Sequence, residues 1–205
     1  ERRQDLVRRA RAGGFVVVED DYDAELRYDR DPVGVVQGLA PDVVVLAGSV
    51  SKTLAPALRL GWMVAPPRLR AAVVAAKHTA DLGSPVVDQL ALAGMLTSGA
   101  YLRHVRRVRS AYRARRDALL EALARRAPGV TVTGVSAGLH VYLAGLGAPA
   151  ARRAHAALEH LGVAAQVVPG GPVHLPGDGL VLGFASLRDA AAADAAARAV
   201  ADALG

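Results

Sequence analysis

The sequence contains no cysteine, which excludes a disulfide framework, a thiolate metal site and a cysteine nucleophile. Aromatic residues make up only 4% of the 205 residues. No apolar run approaches the roughly eighteen residues that a membrane-spanning helix needs. The first residues, 1–4, do not have the pattern of a signal peptide. Together these absences predict a cytoplasmic protein that does not associate with a membrane.

Lysine is almost as rare as cysteine, although the chain is basic. Of the 25 basic residues only Lys52 and Lys77 are lysines, which leaves 23 arginines. An arginine serves as a surface cation, but its guanidinium group cannot be deprotonated to act as a nucleophile. A lysine retained against this bias therefore indicates a need for an amine. Lys77 lies within an amphipathic helical pattern and has no partner motif, so we expect it on the surface.

The composition is that of a globular protein, with 52% hydrophobic and 21% charged residues. The net charge of +6 is concentrated in residues 99–127, which contain nine arginines and two acidic residues. The apolar residues of this segment recur at helical spacing. We therefore interpret it as a long helix with a solvated basic face, in preference to a nucleic-acid-binding surface.

Three short apolar runs in the first part of the chain predict strands that are buried on both faces, as in an α/β sheet with helical cover. These runs are residues 15–18, 43–46 and 60–64, and helices are predicted at 4–12, 68–79, 85–97 and 99–126. Three strands are few for such a sheet. We therefore expect the chain to begin inside a domain, with part of the sheet and of any site upstream of Glu1.

The pattern changes after the Pro128-Gly129 pair. Alternating apolar residues predict paired strands, and the remaining pattern predicts further strands and two helices of a small α+β unit. The predicted strands are 130–135, 139–143, 164–168 and 180–184, and the predicted helices are 149–161 and 187–204.

Polar groups follow or precede each of the three buried strands, where α/β sheets place their ligands. They are Asp20-Asp21-Tyr22, then Ser49 to Lys52, then Arg59. A phosphorylated pyridine aldehyde needs an amine for its aldehyde, a carboxylate for its ring nitrogen, and hydroxyl and guanidinium groups for its phosphate. All of these groups are present.

Other interpretations of the same residues remain open. The acidic run 19–23 could hold a metal ion, although it lacks a repeated ligand spacing. Asp20 and Tyr22 could simply cap a loop, and Arg59 could pair with a nearby carboxylate. The six histidines show no spacing typical of metal ligands.

The segments 19–28 and 49–61 resemble fold-type I, pyridoxal 5′-phosphate (PLP)-dependent aminotransferase domains. They are most similar to the MocR-type branch of GntR-family transcriptional regulators, and residues 84–92 and 101–107 match the same branch. The resemblance covers essentially the whole chain and is looser after Gly129. It implies an α/β large-domain portion, 1–127, followed by a small α+β C-terminal domain, 128–205.

The resemblance also implies roles for individual residues. Lys52 matches the lysine that holds PLP as a Schiff base. Asp20 matches the carboxylate that faces the pyridine nitrogen, and Tyr22 the phenol near the phenolic oxygen of the cofactor. The positions that bind the phosphate are matched by Ser49, Ser51 and Arg59. Asp20 is preferred to Asp21 because side chains alternate along an extended segment, so that Asp20 and Tyr22 share a face.

Two features depart from the aminotransferase pattern. Val181 occupies the position at which such enzymes carry an arginine for the substrate carboxylate, and the nearest arginine, Arg188, follows the predicted strand. A buried carboxylate without a charge-assisted partner is costly, so ordinary transamination is disfavoured. In addition, the upstream glycine-rich phosphate loop, the aromatic that stacks on the ring and a winged helix are all missing from these residues.

The sequence thus supports one leading hypothesis and two alternatives. The first is the effector domain of a MocR-type regulator, which responds to a small amine, an amino acid or PLP itself, and contacts DNA only through an N-terminal domain outside this chain. The second is a free-standing aminotransferase that transfers an amino group from an amino acid to a 2-oxo acid. The third is a truncated product with no intact site. By the same resemblance we expect a homodimer of the full-length protein.

Overall fold

The computed structural model of the chain describes residues 1–22, 24–28, 34–133, 138–170 and 177–205. Its packing divides the chain into two compact units, Glu1–Arg106 and Arg107–Gly205, and each is described by itself. The predicted domain boundary after residue 127 stays a prediction. In the described ranges, no helix combines the length and the apolar character that crossing a membrane requires.

The first unit contains its helices and strands in the order that the sequence predicts. It contains α1 (Arg2–Gly13), β1 (Val17–Asp21), β2 (Val44–Ser49), β3 (Gly61–Val64), α2 (Pro67–Asp81), α3 (Val86–Thr97) and the start of α4 (Ala100–Arg126). Two short 3₁₀ turns, Ala24–Leu26 and Pro56–Leu58, follow β1 and precede β3.

The three strands form one sheet in the order β1-β2-β3. The β1 and β2 strands are parallel, and β3 runs antiparallel to β2. Helix α1 ends where Gly14 adopts a left-handed conformation, which glycine reaches at little cost. The apolar residues of α1 pack with those of β2 and the preceding segment in a cluster of Val7, Ala10, Val36, Ala40, Val43 and Val44, with Val17 of β1 against it.

Two details of the predicted strands are wrong. The first strand does not cover 15–18 but begins at Val17 and continues through Glu19 and Asp21, because these acidic residues keep the parallel register with β2. Burial on both faces is also wrong for two strands. All four residues of β3 are exposed, and Val18 and Asp20 leave one face of β1 exposed. Helices α2 and α3 likewise contain no buried residue. Apolar patterning identifies residues that favour burial, but it does not supply the element that covers them.

The second unit is the predicted small α+β arrangement. Its sheet has the order β4-β5-β7-β6, every pair is antiparallel, and α5 and α6 contact each other. The elements are β4 (Thr131–Thr133), β5 (His140–Ala144), α5 (Ala148–His160), β6 (Ala165–Val168), β7 (Gly179–Gly183) and α6 (Ala190–Leu204). Residues 134 and 135 of the predicted strand 130–135 lie outside the described residues.

The arginine-rich segment is one long helix, as predicted. Within the second unit, its Leu119 and Leu123 are fully buried. Part of its basic face is paired, because Arg126 binds both carboxylate oxygens of Asp194 at 3.0 and 2.9 Å. Hydrogen bonds from Arg126 and then from Arg198 lower the pKa of Asp194 to about 2. These contacts support a structural interpretation of the basic residues.

Gly179 is needed at a close approach within the second sheet. A Cβ atom at this position would lie 2.6 Å from the carbonyl oxygen of Leu143 and still closer to the hydroxyl of Tyr142. We predict that Gly179→Ala lowers the free energy of unfolding by about 1–3 kcal/mol, as overpacking of a well-packed site generally does. The measurement is urea denaturation followed by circular dichroism.

Gly129→Ala is the matched control, since a Cβ atom there meets no atom within 4 Å. It should change the unfolding free energy by no more than about 0.5 kcal/mol. Equal stability of the two variants would contradict the described packing of Tyr142 against β7.

Candidate functional site

The register of the first sheet brings the predicted polar groups to one edge. Asp20 lies beside Ala47 and Asp21 beside Gly48 in the parallel pair, and Ser49 lies opposite Gly61 in the antiparallel pair. The segments that follow β1 and β2 therefore leave the sheet at the edge where β3 begins. This places Asp20, Tyr22, Ser49, Ser51, Lys52 and Arg59 on neighbouring segments of that edge.

The acidic residues of β1 point alternately to the two faces of the sheet. Glu19 is half-buried and accepts hydrogen bonds from the backbone N–H groups of Val36 and Gln37 at 2.9 and 3.0 Å. Asp21 is also half-buried, whereas Asp20 between them is exposed. Asp20 therefore lies on the open face. Tyr22, one residue beyond the strand, is 45% exposed, and Asp23 lies outside the described residues.

Lys52 lies in a tight turn that is anchored on both sides. Val50 is 1% exposed and its carbonyl accepts a 2.8 Å hydrogen bond from the N–H of Leu54. Thr53 is 2% exposed, while Lys52 between these residues is exposed. The N–H of Ser51 donates to Ser49 Oγ at 3.3 Å. Buried neighbours thus fix the turn, and the amine remains accessible.

A cluster of buried apolar side chains packs against the turn that carries Lys52. Val50 packs with Leu60, Tyr101 and Val105, and the half-buried Leu54, Leu58, Leu92 and Met95 pack against them. Val50 and Leu60 flank the segment that carries Lys52 and Arg59, so both ends of that segment are held by burial.

Arg59 adopts an unusual backbone conformation. Its φ and ψ are 51° and 29°, in the left-handed region. Among the described non-glycine residues, only Leu82 also has a positive φ. A left-handed L-residue costs roughly 1–2 kcal/mol, and such costs concentrate at functional sites. The arrangement places an exposed guanidinium group immediately before the buried Leu60.

Three charged groups of this edge have no partner within the part of the chain that the structure describes. The Lys52 amine, the Asp20 carboxylate and the Arg59 guanidinium form neither a hydrogen bond nor an ion pair there. The other lysine behaves differently, because Lys77 pairs with Asp81 four residues later on α2. Three unpaired groups of this kind suit a ligand that carries an aldehyde, a phosphate and a basic nitrogen.

The single tryptophan lies next to these residues. A Cβ atom at Gly48 would come within 2.6 Å of the Trp62 indole, so the ring lies directly over the glycine. A small cavity of about 80 Å³ is lined there by Trp62, Gly48, Leu46, Asp21 and Glu25. Trp62 is 42% exposed and can therefore report on binding at this edge.

A hydrogen-bond network beneath the Lys52 turn was not predicted from the sequence. The Tyr101 hydroxyl lies 3.0 Å from both carboxylate oxygens of Glu25 and 3.0 Å from Thr53 Oγ1. Burial raises the pKa of Glu25, although the hydrogen bond from Tyr101 opposes this shift. Burial also raises the pKa of Tyr101 to about 12. The adjacency of Thr53 to Lys52 was a signal in the sequence, but Glu25 and Tyr101 are 76 residues apart.

A larger cavity of about 700 Å³ lies in the second unit, between α5 and α6, and contains none of the predicted residues. Its cationic side chains are already engaged. Arg153 donates to the carbonyl of Ala203 and Arg198 pairs with Asp194. Most of the remaining lining is alanine and leucine. The sheet edge of the first unit is therefore the better candidate site.

Comparison with known proteins identifies the family of this chain. Residues 1–198 match the family described as aminotransferase class I and II. The chain is 37% identical to an uncharacterized HTH-type transcriptional regulator, YhdI of Bacillus subtilis, over 69% of its length. It is 38% identical to the HTH-type pyridoxine biosynthesis transcriptional regulator PdxR of Corynebacterium glutamicum over 70% of its length. It spans only 31% of each regulator.

A solved structure extends the similarity to almost the whole chain. The α-aminoadipate aminotransferase LysN of Thermus thermophilus, complexed with N-(5′-phosphopyridoxyl)-L-leucine, superposes with a TM-score of 0.80 at 32% identity. The match covers 98% of this chain and 53% of that enzyme. The fold-type I aminotransferase architecture predicted from the sequence is confirmed.

The packing of Trp62 on Gly48 generates a prediction. In Gly48→Ala the added methyl group would overlap the indole, so we expect Trp62 to move further into solvent, with a red shift of its fluorescence. The unfolding free energy should fall by about 1–3 kcal/mol. The measurement is the emission spectrum of the folded protein together with its urea denaturation.

Gly38→Ala is the control, because a Cβ atom there is 3.6 Å from its nearest neighbour, the carbonyl oxygen of Val35. Its emission should match that of the wild type. An unchanged spectrum for Gly48→Ala would show that the indole does not lie over Gly48.

Proposed function

The chain belongs to the class I and II aminotransferase family, and we propose that it is the PLP-binding, effector-sensing part of a MocR-type transcriptional regulator. The observation that carries the proposal is the set of unpaired charged groups at one sheet edge. An amine, a carboxylate and a guanidinium, from Lys52, Asp20 and Arg59, lie on neighbouring segments without partners among the described residues.

The residues fit the chemical groups of PLP one by one. The Lys52 amine would bind the aldehyde, the Asp20 carboxylate would keep the ring nitrogen protonated, and the Tyr22 phenol would donate to the phenolic oxygen. Arg59 would bind the phosphate, for which a planar guanidinium is well suited. When bound, PLP supplies an electron-withdrawing ring that stabilises negative charge next to the nitrogen of an amine ligand.

The two serines would complete the phosphate site. Ser49 Oγ accepts the N–H of Ser51, so its own proton remains free to be donated to a phosphate oxygen. Ser51 contributes a second hydroxyl from the same turn. Both residues lie on the anchored segment, so little conformational entropy would be lost when the phosphate binds.

Two observations favour a regulator over an enzyme. Regions of the two HTH-type regulators match this chain at 37 and 38% identity, and most of each regulator lies outside the match. In addition, Val181 lies in the middle of β7 and pairs with Tyr142 and Gln166. None of these three side chains is a cation that would bind the carboxylate of an aminotransferase substrate. The effector would be a small amine or an amino acid, and a DNA-binding domain would lie outside these 205 residues. The full-length protein would be a cytoplasmic homodimer.

The second candidate is a free-standing aminotransferase. The superposition on LysN over 98% of this chain supports it. The two candidate functions share the cofactor site. In the regulator the bound amine is sensed, whereas in the enzyme its amino group is transferred to a 2-oxo acid.

The two lysines provide a matched test of the PLP site. PLP is titrated into the protein while the fluorescence of Trp62 is recorded. We predict that Lys52→Arg weakens binding by at least about tenfold, or ~1.4 kcal/mol, because arginine keeps the charge but cannot attack an aldehyde. Lys77→Arg should bind as the wild type does. Equal effects of the two substitutions would contradict the assignment of Lys52.

A second experiment separates the regulator from the enzyme. The coding sequence upstream of Glu1 is read for a winged-helix domain, and the protein with PLP is assayed for amino-group transfer between amino acids and 2-oxo acids. The regulator predicts a winged helix and no sustained turnover. Steady turnover with an amino donor and a keto acid would contradict a pure sensor.

A further inference from the structure

The network under the Lys52 turn has a defined direction. Tyr101 has one hydroxyl proton, and it is donated to the Glu25 carboxylate, since both carboxylate oxygens lie at 3.0 Å. The Thr53 hydroxyl lies 3.0 Å from Tyr101 Oη and 3.4 Å from the Val50 carbonyl oxygen, and with the Tyr101 proton engaged it donates to the nearer acceptor, Tyr101. A hydrogen-bonded chain therefore runs from residue 53, next to the lysine, to the segment that follows β1.

The backbone of Thr53 is held by the same helix. His104 Nε2 lies 2.7 Å from the Thr53 carbonyl oxygen and donates to it, because a carbonyl oxygen can only accept. Tyr101 and His104 are three residues apart and so lie on one face of α4. Two side chains of one helix turn thus hold both the hydroxyl and the carbonyl of the residue that follows Lys52.

We propose that Tyr101, held by Glu25, is a positioning residue that orients the Lys52 turn for covalent attachment of the cofactor. This inference rests on the PLP site proposed above. Tyr101 connects three segments, since it joins the 3₁₀ turn that follows Asp20 and Tyr22 to the Lys52 turn and to α4. The carboxylate that would face the ring and the amine that would meet the aldehyde are thereby fixed relative to one another.

The energetics indicate that the network serves orientation more than stability. Among the described residues, Thr53 is the only buried one apart from the apolar and aromatic residues. Glu25 is half-buried, and burial raises its pKa, so the folded chain disfavours its charged form. Apolar residues of similar volume commonly stabilise a fold at least as well as a buried polar or charged group. Misplacing a reacting group by about 1 Å can slow a reaction about a hundredfold.

The experiment compares total binding with covalent attachment. Quenching of Trp62 by PLP reports total binding, and borohydride reduction at timed intervals, followed by peptide mass analysis, reports the rate of attachment to Lys52. The variants are Tyr101→Phe, which keeps the buried ring, and Thr53→Val, which keeps the side-chain shape and leaves the Tyr101–Glu25 pair intact. Melting temperatures without PLP are recorded for every variant.

Two further substitutions test the chemistry of the network. Glu25→Ala removes the acceptor, whereas Glu25→Gln keeps an oxygen that can accept the Tyr101 proton. Tyr112→Phe is the control, since it removes a hydroxyl from the same helix at a residue whose ring contacts Arg115.

We expect Tyr101→Phe, Thr53→Val and Glu25→Ala to slow attachment at least about tenfold while total binding changes by less than about twofold. Glu25→Gln and Tyr112→Phe should attach PLP at close to the wild-type rate.

An unchanged rate in Tyr101→Phe and Thr53→Val would overturn the positioning role and leave the PLP site intact. If Tyr101→Phe lowers total PLP binding, the attachment rate and the melting temperature together, Tyr101 has only a structural role. That result would also overturn the positioning role. If wild-type Lys52 is not labelled, the proposed PLP site itself fails, and the inference fails with it.

Discussion

The parallel pairing of β1 with β2 brings the candidate cofactor residues that follow these two strands to one edge of the sheet. It aligns Asp20 with Ala47 and Asp21 with Gly48, so the two chain segments leave the sheet at the same edge. The antiparallel β3 returns to this edge directly after Arg59 and Leu60. A shift of one residue in the β1 register would place Asp21 on the open face and Asp20 on the packed face.

The candidate site keeps its amine, carboxylate and guanidinium groups accessible at some cost in local stability. A left-handed arginine and a half-buried glutamate are each unfavourable by themselves. Burial of Val50, Leu60 and Tyr101 beneath the turn offsets these costs. Such a division between an apolar support and a polar, strained surface is expected wherever function limits stability.

Periodicity in the sequence identified nearly all helices and strands, because it reports local geometry. The spacing of apolar residues predicted α4 to within one residue, and alternation placed Asp20 and Asp21 on opposite faces. The exposure of β3 could not be predicted, since it depends on what packs against the strand. The hydrogen bond between Glu25 and Tyr101 was equally hidden, because side-chain contacts between distant residues leave no periodic signal. The assignments of Lys52, Asp20 and Arg59 remain predictions with a consistent geometry.

The central claim is that Lys52 binds PLP covalently, and reductive trapping tests it most directly. The protein is incubated with PLP and reduced with borohydride, and the modified peptides are identified by mass. Among the residues of this sequence only Lys52 and Lys77 carry a side-chain amine, so the two sites can be told apart. The account predicts an adduct confined to Lys52, which is lost in Lys52→Ala. Equal labelling of Lys52 and Lys77, or no label on Lys52, would contradict it.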